Sequence, residues 1–213
     1  MATSGARRSV GQSNARSGTA RQALVDAAID SLREVGFAGA SARAIAHRAG
    51  STQSQVFYHF GSVVDLLLAA LDEVSARRLK AYQPLVETAT SPNELLQTAR
   101  TVILSDLDSG DLKVPVEMVA GAQTVPGLGA QVAQRLGPWY AFAEAAVNKA
   151  GAGLPFRSVL PVGDIAHAIV AGVLGLELLA SLGGDRTRAK ALLDHATGIA
   201  LLMSASPTPL RPT

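Results

Sequence analysis

The chain has 213 residues, a net charge of +2 and no cysteine, and nearly half of its residues are apolar. The absence of cysteine excludes disulfides, thiolate metal sites and cysteine nucleophiles. Alanine and leucine dominate, while alternating β-branched residues are rare. The composition therefore favours an all-α protein that can bury a substantial core.

Charge is distributed unevenly along the chain. Residues 1–60 carry seven arginines and three carboxylates, a net charge of +4, whereas the remainder carries twelve basic and fourteen acidic residues, a net charge of −2. A basic amino-terminal part on a mildly acidic body is typical of a DNA-binding head attached to another module.

Residues 1–18 are rich in Ser, Gly, Ala and Arg, which predicts a disordered basic tail. The tail lacks the apolar run of an export signal. Its arginines, Arg7, Arg8 and Arg16, can either follow DNA phosphates or merely keep the tail soluble, and the sequence leaves both interpretations open.

A three-helix head is predicted over residues 19–66. Thr19 begins a capping box with Gln22, which predicts a first helix that runs to Val35 and stops at Gly36. We expect Phe37 to fill the small core beside this helix. On its own, so short a head is expected to be marginally stable.

The stretch 41–60 predicts two short helices joined by a tight turn. Ser41 can cap the first helix, Gly50 can take a left-handed backbone at its end, and Thr52 and Gln55 form a capping box for the second. Val56 and Phe60 face the first helix, which leaves five side chains pointing outward: Gln53, Ser54, Gln55, Tyr58 and His59. This is the pattern of a helix-turn-helix, although a surface αα-hairpin without a nucleic-acid role shares it.

Residues 67–205 predict a larger helical body, followed by a loose tail over 206–213. Its first helix starts at Val63 behind a Ser62 cap and is expected to end near Tyr82, because Pro84 follows. Further helices are predicted behind Ser91, around Pro115, and over 128–149, where Pro138 should kink or divide the helix. Residues 151–161 are expected to be loose.

Two apolar helices, 165–182 and 187–203, end the body. The first is too short, too rich in ionisable residues and too poor in basic flanks to favour a membrane span. We expect the two helices to pair with their copies in a four-helix bundle, with packing inside one monomer as the alternative. The predicted dimer interface consists of small and aliphatic residues: Ala168, Ala171, Gly172, Gly175, Leu192, Ala196, Ile199 and Ala200.

An enzyme needs a catalytic constellation, and the sequence contains no His-Glu-x-x-His motif, glycine-rich phosphate loop or serine elbow. Asp164 and His167 share a helix face, but two groups do not make a metal site. The sequence therefore predicts no enzyme, no metal and no cofactor. A small helical enzyme, or a ligand-binding protein without DNA function, is the alternative.

Residues 19–67 resemble the DNA-binding head of the tetracycline-repressor (TetR) family of bacterial regulators. The matching positions are Ala28, Gly36-Phe37, Ser41-x-Arg43-x-Ile45-Ala46-x-x-Ala49-Gly50, Val56-Phe57-Tyr58-His59-Phe60 and Ser62-x-x-Asp65-Leu66-Leu67. Their order, spacing and position near the amino terminus all agree with that family. The resemblance covers roughly a quarter of the chain.

The resemblance implies that Arg43 reaches a base edge or phosphate, that Gln53, Ser54, Gln55 and Tyr58 face bases, and that His59 touches phosphate. Thr52, Phe57 and Ser62 complete the expected DNA-binding set. Phe57 and Val63 stand where the family often has a tyrosine and a lysine that contact phosphate. Arg48, Ser62 and the tail arginines could compensate for that loss.

The resemblance also implies a cytoplasmic homodimer that binds a palindromic operator in double-stranded DNA and is released by a small apolar or amphipathic effector, usually as a repressor. An effector cavity is mainly apolar with a few polar groups. The candidates for its lining are Arg100, Glu117, Met118, Gln123, Trp139, Tyr140, Phe142 and His167. For each of them, an ordinary core or surface role is the alternative.

Overall fold

The computed structural model describes residues 5–152, 159, 161–183 and 186–204, and within these ranges the chain forms helices and no strand. The nine described helices are α1 Gly5–Gly39, α2 Ala42–Arg48, α3 Gln53–Phe60, α4 Val63–Thr88, α5 Pro92–Ser109, α6 Lys113–Ala122, α7 Leu128–Ala150, α8 Val162–Gly183 and α9 Thr187–Ser204. The all-α prediction is therefore confirmed. The loose tail expected at 206–213, and most of the loose segment expected at 151–161, lie outside the described residues.

Helix α1 begins earlier than its capping signal predicts. Its backbone is helical from Gly5, so Thr19 and Gln22 mark no helix start, and residues 5–18 continue the helix instead of forming a disordered tail. Residues 5–18 contain no proline, so each backbone N–H can join the helix, although Gly11 and Gly18 are poor helix formers. At Gly36 the backbone leaves the helical region with φ 71°, so the predicted stop is the place where α1 breaks before its last turn.

The pair α2 and α3 follows the sequence prediction closely. The Ser41 hydroxyl accepts a hydrogen bond from the Ala44 amide at 3.2 Å, and Gly50 has the expected positive φ of 60°. Thr52 precedes α3, but its side chain makes no capping bond, so the predicted Thr52–Gln55 box is wrong. The Thr52 hydroxyl lies 3.0 Å from the Ser54 hydroxyl, while the Gln55 amide donates to the Thr52 carbonyl.

Two prolines predicted to end or divide helices lie inside them. Helix α4 continues past Pro84 to Thr88, and α7 runs unbroken through Pro138. A proline in a helix removes one backbone donor, and this loss is tolerated where the neighbouring structure supports the helix. At the end of α4, the Lys149 ammonium supplies such support, because it donates to the carbonyls of Val86, at 2.8 Å, and Glu87.

The chain folds as two compact units, of which the first comprises residues 1–76 and 113–135. It therefore holds α6 and the start of α7 in addition to the expected head. Buried residues from all these segments share one core: Leu24, Val25, Ala27, Ala28, Ile29, Leu32, Ala42, Ile45, Ala46, Val56, Leu66, Leu67, Leu68, Ala70, Leu71, Val74, Val114, Met118, Leu128 and Val132. A head that shares its core with α6 buries more apolar surface than three short helices can.

The second unit comprises residues 77–112 and 136–213. One core cluster lies between α5 and α9 around Leu107, Leu112 and Ala189, and another lies between α7 and α8 around Ala143, Ala166 and Val170. Among the described residues, each cluster contains fewer buried side chains than the core of the first unit.

A buried charged cluster also holds the second unit. The Arg78 guanidinium of α4 forms ion pairs with Asp106, near the end of α5, and with Asp111 in the following turn. The Tyr82 hydroxyl accepts a hydrogen bond from Arg78 and donates one to Asp106. Because Arg78 and Asp106 are almost fully buried, removal of one partner leaves an uncompensated charge in the interior.

Candidate nucleic-acid interface

Helix α3 buries one side and exposes the other. Val56 is fully buried in the core of the first unit, whereas Gln53, Ser54, Gln55 and Phe57 are exposed and Tyr58 has 78% of its surface accessible. Amide side chains can bond the edge of adenine, and an aromatic ring can pack on the thymine methyl group. The exposed side of α3 therefore carries side chains of the kinds that can read bases in a major groove.

Arg43 lies exposed on α2, and within the described part of the chain its guanidinium has no hydrogen-bond or ion-pair partner. Arg48, also on α2, is engaged differently, because its guanidinium donates to both carboxylate oxygens of Glu34 in α1. The side-chain hydrogen bond from Arg48 lowers the pKa of Glu34. Arg43 is therefore available for an external anion, whereas Arg48 is held within the protein.

Ser62 is also engaged within the protein. Its hydroxyl accepts a hydrogen bond from the Asp65 amide at 3.0 Å and donates one to the Asp65 carboxylate at 2.6 Å. This arrangement caps the start of α4, as the sequence predicts. Arg48 and Ser62 were expected to replace the phosphate contact that is lost with Val63. Both side chains already make contacts within the protein, and a phosphate would have to compete with these contacts. The side chains of Arg7, Arg8 and Arg16 lie outside the described residues.

Four side chains form a continuous series at the carboxyl end of α3. The Tyr58 and His59 rings are 5.0 Å apart edge to face, and the His59 and Phe60 rings are 6.3 Å apart. The Arg21 guanidinium of α1 lies over the Phe60 ring, 4.8 Å from its centroid. Sequence reasoning missed this contact, because Arg21 and Phe60 lie on different helices with the whole of α2 between them.

An open cleft of about 760 Å³ separates the last turns of α1 from α2. Arg43, His47 and Arg48 line it together with Gln53 at the start of α3. Arg43 and Gln53, the first residue of α3, thus line the same cleft. Val35 lines the α1 side of this cleft and is exposed. The sequence pattern around Val35 did not predict the cleft.

Three of the residues considered for an effector cavity belong to the first unit. The Glu117 carboxylate accepts a hydrogen bond from the Phe37 amide at 2.9 Å, and Met118 is fully buried in the shared core. Gln123 lies exposed just after α6. Glu117 and Met118 therefore serve the packing of α6 against the head.

The other residues considered for an effector cavity lie in the second unit. Arg100 pairs with Asp194 of α9. The Tyr140 and His167 rings stack 5.1 Å apart, with only 6° between their planes, and the Trp139 and Phe142 rings meet edge to face at 6.2 Å. Trp139 and Tyr140 pack on the cluster formed by Ala143, Ala166 and Val170. The structure thus gathers the aromatic candidates on α7 and α8.

Helix α8 leaves much of its apolar surface uncovered. Ala168, Ala171 and Gly172 are exposed, Gly175 is half-buried, and Leu192 of α9 is exposed. The side chains of Ala196, Ile199 and Ala200 lie outside the described residues. Sequence reasoning missed the largest exposed groups of this surface, which are Ile169, Leu178, Leu179 and Leu182. By length and composition alone, the segment Val162–Leu182 could cross a membrane, although a core helix of a soluble protein passes the same test.

No cluster of three or more His, Asp or Glu side chains suited to a metal ion occurs among the residues that the structure describes. A carboxylate-rich or histidine-rich metal site needs such a cluster.

Comparisons with known proteins agree with this geometry. Residues 24–70 match the family model described as bacterial regulatory proteins, tetR family. A helix-turn-helix transcriptional regulator of Mycobacterium bovis that is itself uncharacterised is 32% identical over 139 residues, which cover 65% of this chain and 69% of that protein. A regulator of Mycobacterium tuberculosis matches to the same extent.

Solved structures share the fold. A TetR-family regulator from Rhodococcus sp. superposes with a TM-score of 0.72 at 22% identity, over 86% of this chain and 98% of that one. The fatty acid degradation regulator of Bacillus halodurans superposes with a TM-score of 0.71 at 17% identity, over 91% of this chain and 97% of that one. Each superposition covers at least 86% of this chain, so the shared fold includes the second unit.

Proposed function

Because this chain belongs to the TetR family of bacterial transcriptional regulators, we propose that it represses transcription as a homodimer on a palindromic operator and leaves the DNA when a small effector binds. The protein is a DNA-binding regulator and not an enzyme. Its site of action in this proposal is the cytoplasm, where chromosomal DNA lies in bacteria.

The exposed side of α3 is the observation that carries the proposal. Gln53, Gln55 and Tyr58 face outward from a helix whose inner side is locked by the buried Val56. Arg43 is exposed on α2 and lines the same cleft as Gln53, the first residue of α3. In our proposal Arg43 bonds a base edge or phosphate, and Gln53, Ser54, Gln55 and Tyr58 read bases. In the same proposal Thr52, Phe57, His59 and Ser62 complete the DNA-contacting set, and His59 touches a phosphate.

Homodimerisation is supported by the uncovered apolar surface of α8 and α9. Monomeric soluble proteins rarely expose so continuous an apolar surface. Leu179 and Leu182 are 69% and 77% accessible in the single chain, and a Cβ added at Gly172 or Gly175 would meet no atom within 4 Å. A second copy related by a twofold axis would cover these residues with their own equivalents. Two heads on a twofold axis require a palindromic operator.

The proposed effector site lies in the second unit, among the aromatic residues of α7 and α8. Trp139, Tyr140, Phe142 and His167 offer flat apolar surfaces with a few polar atoms, which suits a small apolar or amphipathic molecule. An effector releases DNA if it binds better to a state whose heads no longer fit adjacent grooves. A coupling free energy of about 1–3 kcal/mol suffices for a 5- to 150-fold change in affinity.

Selection of bound duplexes from a random DNA pool tests the proposal. We expect enrichment of an inverted repeat, and we expect Arg43→Ala to weaken binding to that repeat by about 1–3 kcal/mol without loss of fold. Transcription in vitro from a promoter that contains the repeat should fall when the protein is added. Enrichment of a site without symmetry would contradict the dimer, and a rise in transcription would contradict repression.

A further inference from the structure

We propose that Arg21 is a DNA-backbone contact, held by the Phe60 ring at the carboxyl end of α3, where it bonds a phosphate at the rim of the major groove. The proposal rests on the proposed function, because it assumes that α3 enters the groove. It assigns a binding role to a residue of α1, outside the helix-turn-helix itself.

The contact with Phe60 orients the Arg21 side chain without occupying its donors. The guanidinium lies over the ring, 4.8 Å from the centroid, which is within the range of a cation–π interaction. No hydrogen bond from the Arg21 guanidinium to another described residue accompanies this contact, so its N–H groups stay available for an acceptor. A planar guanidinium with free edge donors matches the geometry of a phosphate.

Arg21 has no competing anion among the residues that the structure describes. Among the described residues of the head, Arg33 pairs with Asp30 and Arg48 pairs with Glu34, but no carboxylate lies within ion-pair distance of Arg21. The side chain is exposed. Arg21 and Arg43 are therefore the two head arginines that keep their charge available for an external partner.

The position of Arg21 on the head points to phosphate rather than to bases. A recognition helix places its amino-terminal residues against base edges, so its carboxyl end emerges at the rim of the groove, where the phosphates lie. Arg21 packs on Phe60, the last residue of α3, whereas Arg43 lines a cleft together with Gln53, the first residue of that helix. An eight-residue helix is about 12 Å long, close to the width of the major groove. In this proposal, a helix of this length spans the groove, and Arg21 lies at the end that meets the phosphates.

The salt dependence of operator binding tests the proposal, because each phosphate contact contributes about 0.9 to the slope of log affinity against log salt concentration. Two Arg21 residues in a dimer predict that Arg21→Gln lowers the magnitude of this slope by about 1.8. Arg21→Lys keeps the charge and should keep most of the slope. Phe60→Leu keeps the apolar volume but removes the ring, and should lower the slope although Arg21 is still present.

Lys80→Gln is the matched control, since it removes the same charge from an exposed position of the second unit. It should leave the slope unchanged. A slope for Arg21→Gln equal to that of the wild type would overturn the proposal, as would an equal loss in Lys80→Gln. A wild-type protein that binds no duplex would overturn the proposed function itself, whereas wild-type binding with an unaltered Arg21→Gln slope removes only the role of Arg21.

Discussion

The Phe37 amide donates a 2.9 Å hydrogen bond to the carboxylate of Glu117, which lies 80 residues further along the chain. Two more residues on the same side of α6 also contact the end of α1. The Lys113 ammonium donates to the Arg33 carbonyl of α1, and Gly121 lies directly under the Phe37 ring. Residues 113, 117 and 121 are spaced by four, so they share one face of α6. This face fastens α6 to the end of α1.

Replacement of Glu117 by alanine should lower the free energy of unfolding by about 1–3 kcal/mol, because the Phe37 amide loses its acceptor. Glu117→Gln keeps a carbonyl oxygen at the same position and should lose less. Urea denaturation of the two variants beside the wild type measures the difference. Equal losses in both variants would show that the charge, and not the acceptor, matters.

Gly121→Ala should be destabilising, because a side-chain carbon there would lie only 2.3 Å from the Phe37 ring. Relief of that clash displaces a ring packed on the core, at a cost of about 1–3 kcal/mol. Gly129→Ala is the matched control in the same unit, since nothing lies within 4 Å of the added carbon. The control should be neutral or slightly stabilising in thermal unfolding. If both variants unfold alike, the Phe37 ring does not lie on Gly121 in solution.

The Tyr82 phenol should make stability depend on alkaline pH. Burial raises its pKa from the ordinary value of 10 to about 12. The folded protein thus retains a proton that the unfolded chain releases, so the contribution to stability is complete below pH 10 and is lost as the pH rises toward 12.

Unfolding by urea at a series of alkaline pH values measures this effect. We expect the free energy of unfolding to fall more steeply between pH 10 and 12 in the wild type than in Tyr82→Phe. Tyr58→Phe removes an exposed hydroxyl instead and serves as the control for a tyrosine change in general. Parallel curves for the wild type and Tyr82→Phe would contradict a buried, protonated phenol at this position.

Leu179→Glu should dissociate the homodimer, because it places two like charges in an apolar interface. We expect the dimer dissociation constant to rise about tenfold to a hundredfold, which corresponds to about 1.4–2.8 kcal/mol. Gly172→Leu should act in the same direction by overfilling the open stripe on α8. Sedimentation equilibrium measures both variants.

Leu85→Glu provides the control for the dimer, since Leu85 is an exposed leucine of the same unit that lies on α4. It should sediment as the wild type does. If Leu179→Glu and Gly172→Leu both remain dimeric, the interface between the two copies lies elsewhere on the chain.

Local signals predicted the helix-turn-helix well because its boundaries are fixed by residues close in sequence. Ser41 caps α2, Gly50 adopts its positive φ, and Ser62 and Asp65 begin α4. The outward side of α3 followed from the spacing of Val56 and Phe60. Composition gave the all-α fold class, the family resemblance agreed with it, and it is confirmed.

The features that the sequence did not predict depend on contacts between residues that lie far apart in the chain. Pro84 lies inside α4 although its chemistry favours a helix end, and Lys149 bonds the carbonyls that follow it. Glu117 has a polar side chain that could equally line a cavity, and only the fold places it beside Phe37. Arg21 shows no local pattern that links it to Phe60. Residue types alone cannot distinguish these alternatives.

The first unit is built from two segments that are separated in sequence, 1–76 and 113–135, and this has a consequence for its biosynthesis. The DNA-reading helices are complete once residue 76 has been translated, but Val114, Met118, Leu128 and Val132 complete the core on which they rest. A ribosome must therefore release the chain to about residue 135 before the head can reach its final stability. Until then the nascent head exposes an apolar surface that a chaperone can bind, and a fragment cut after α3 would keep that surface open permanently.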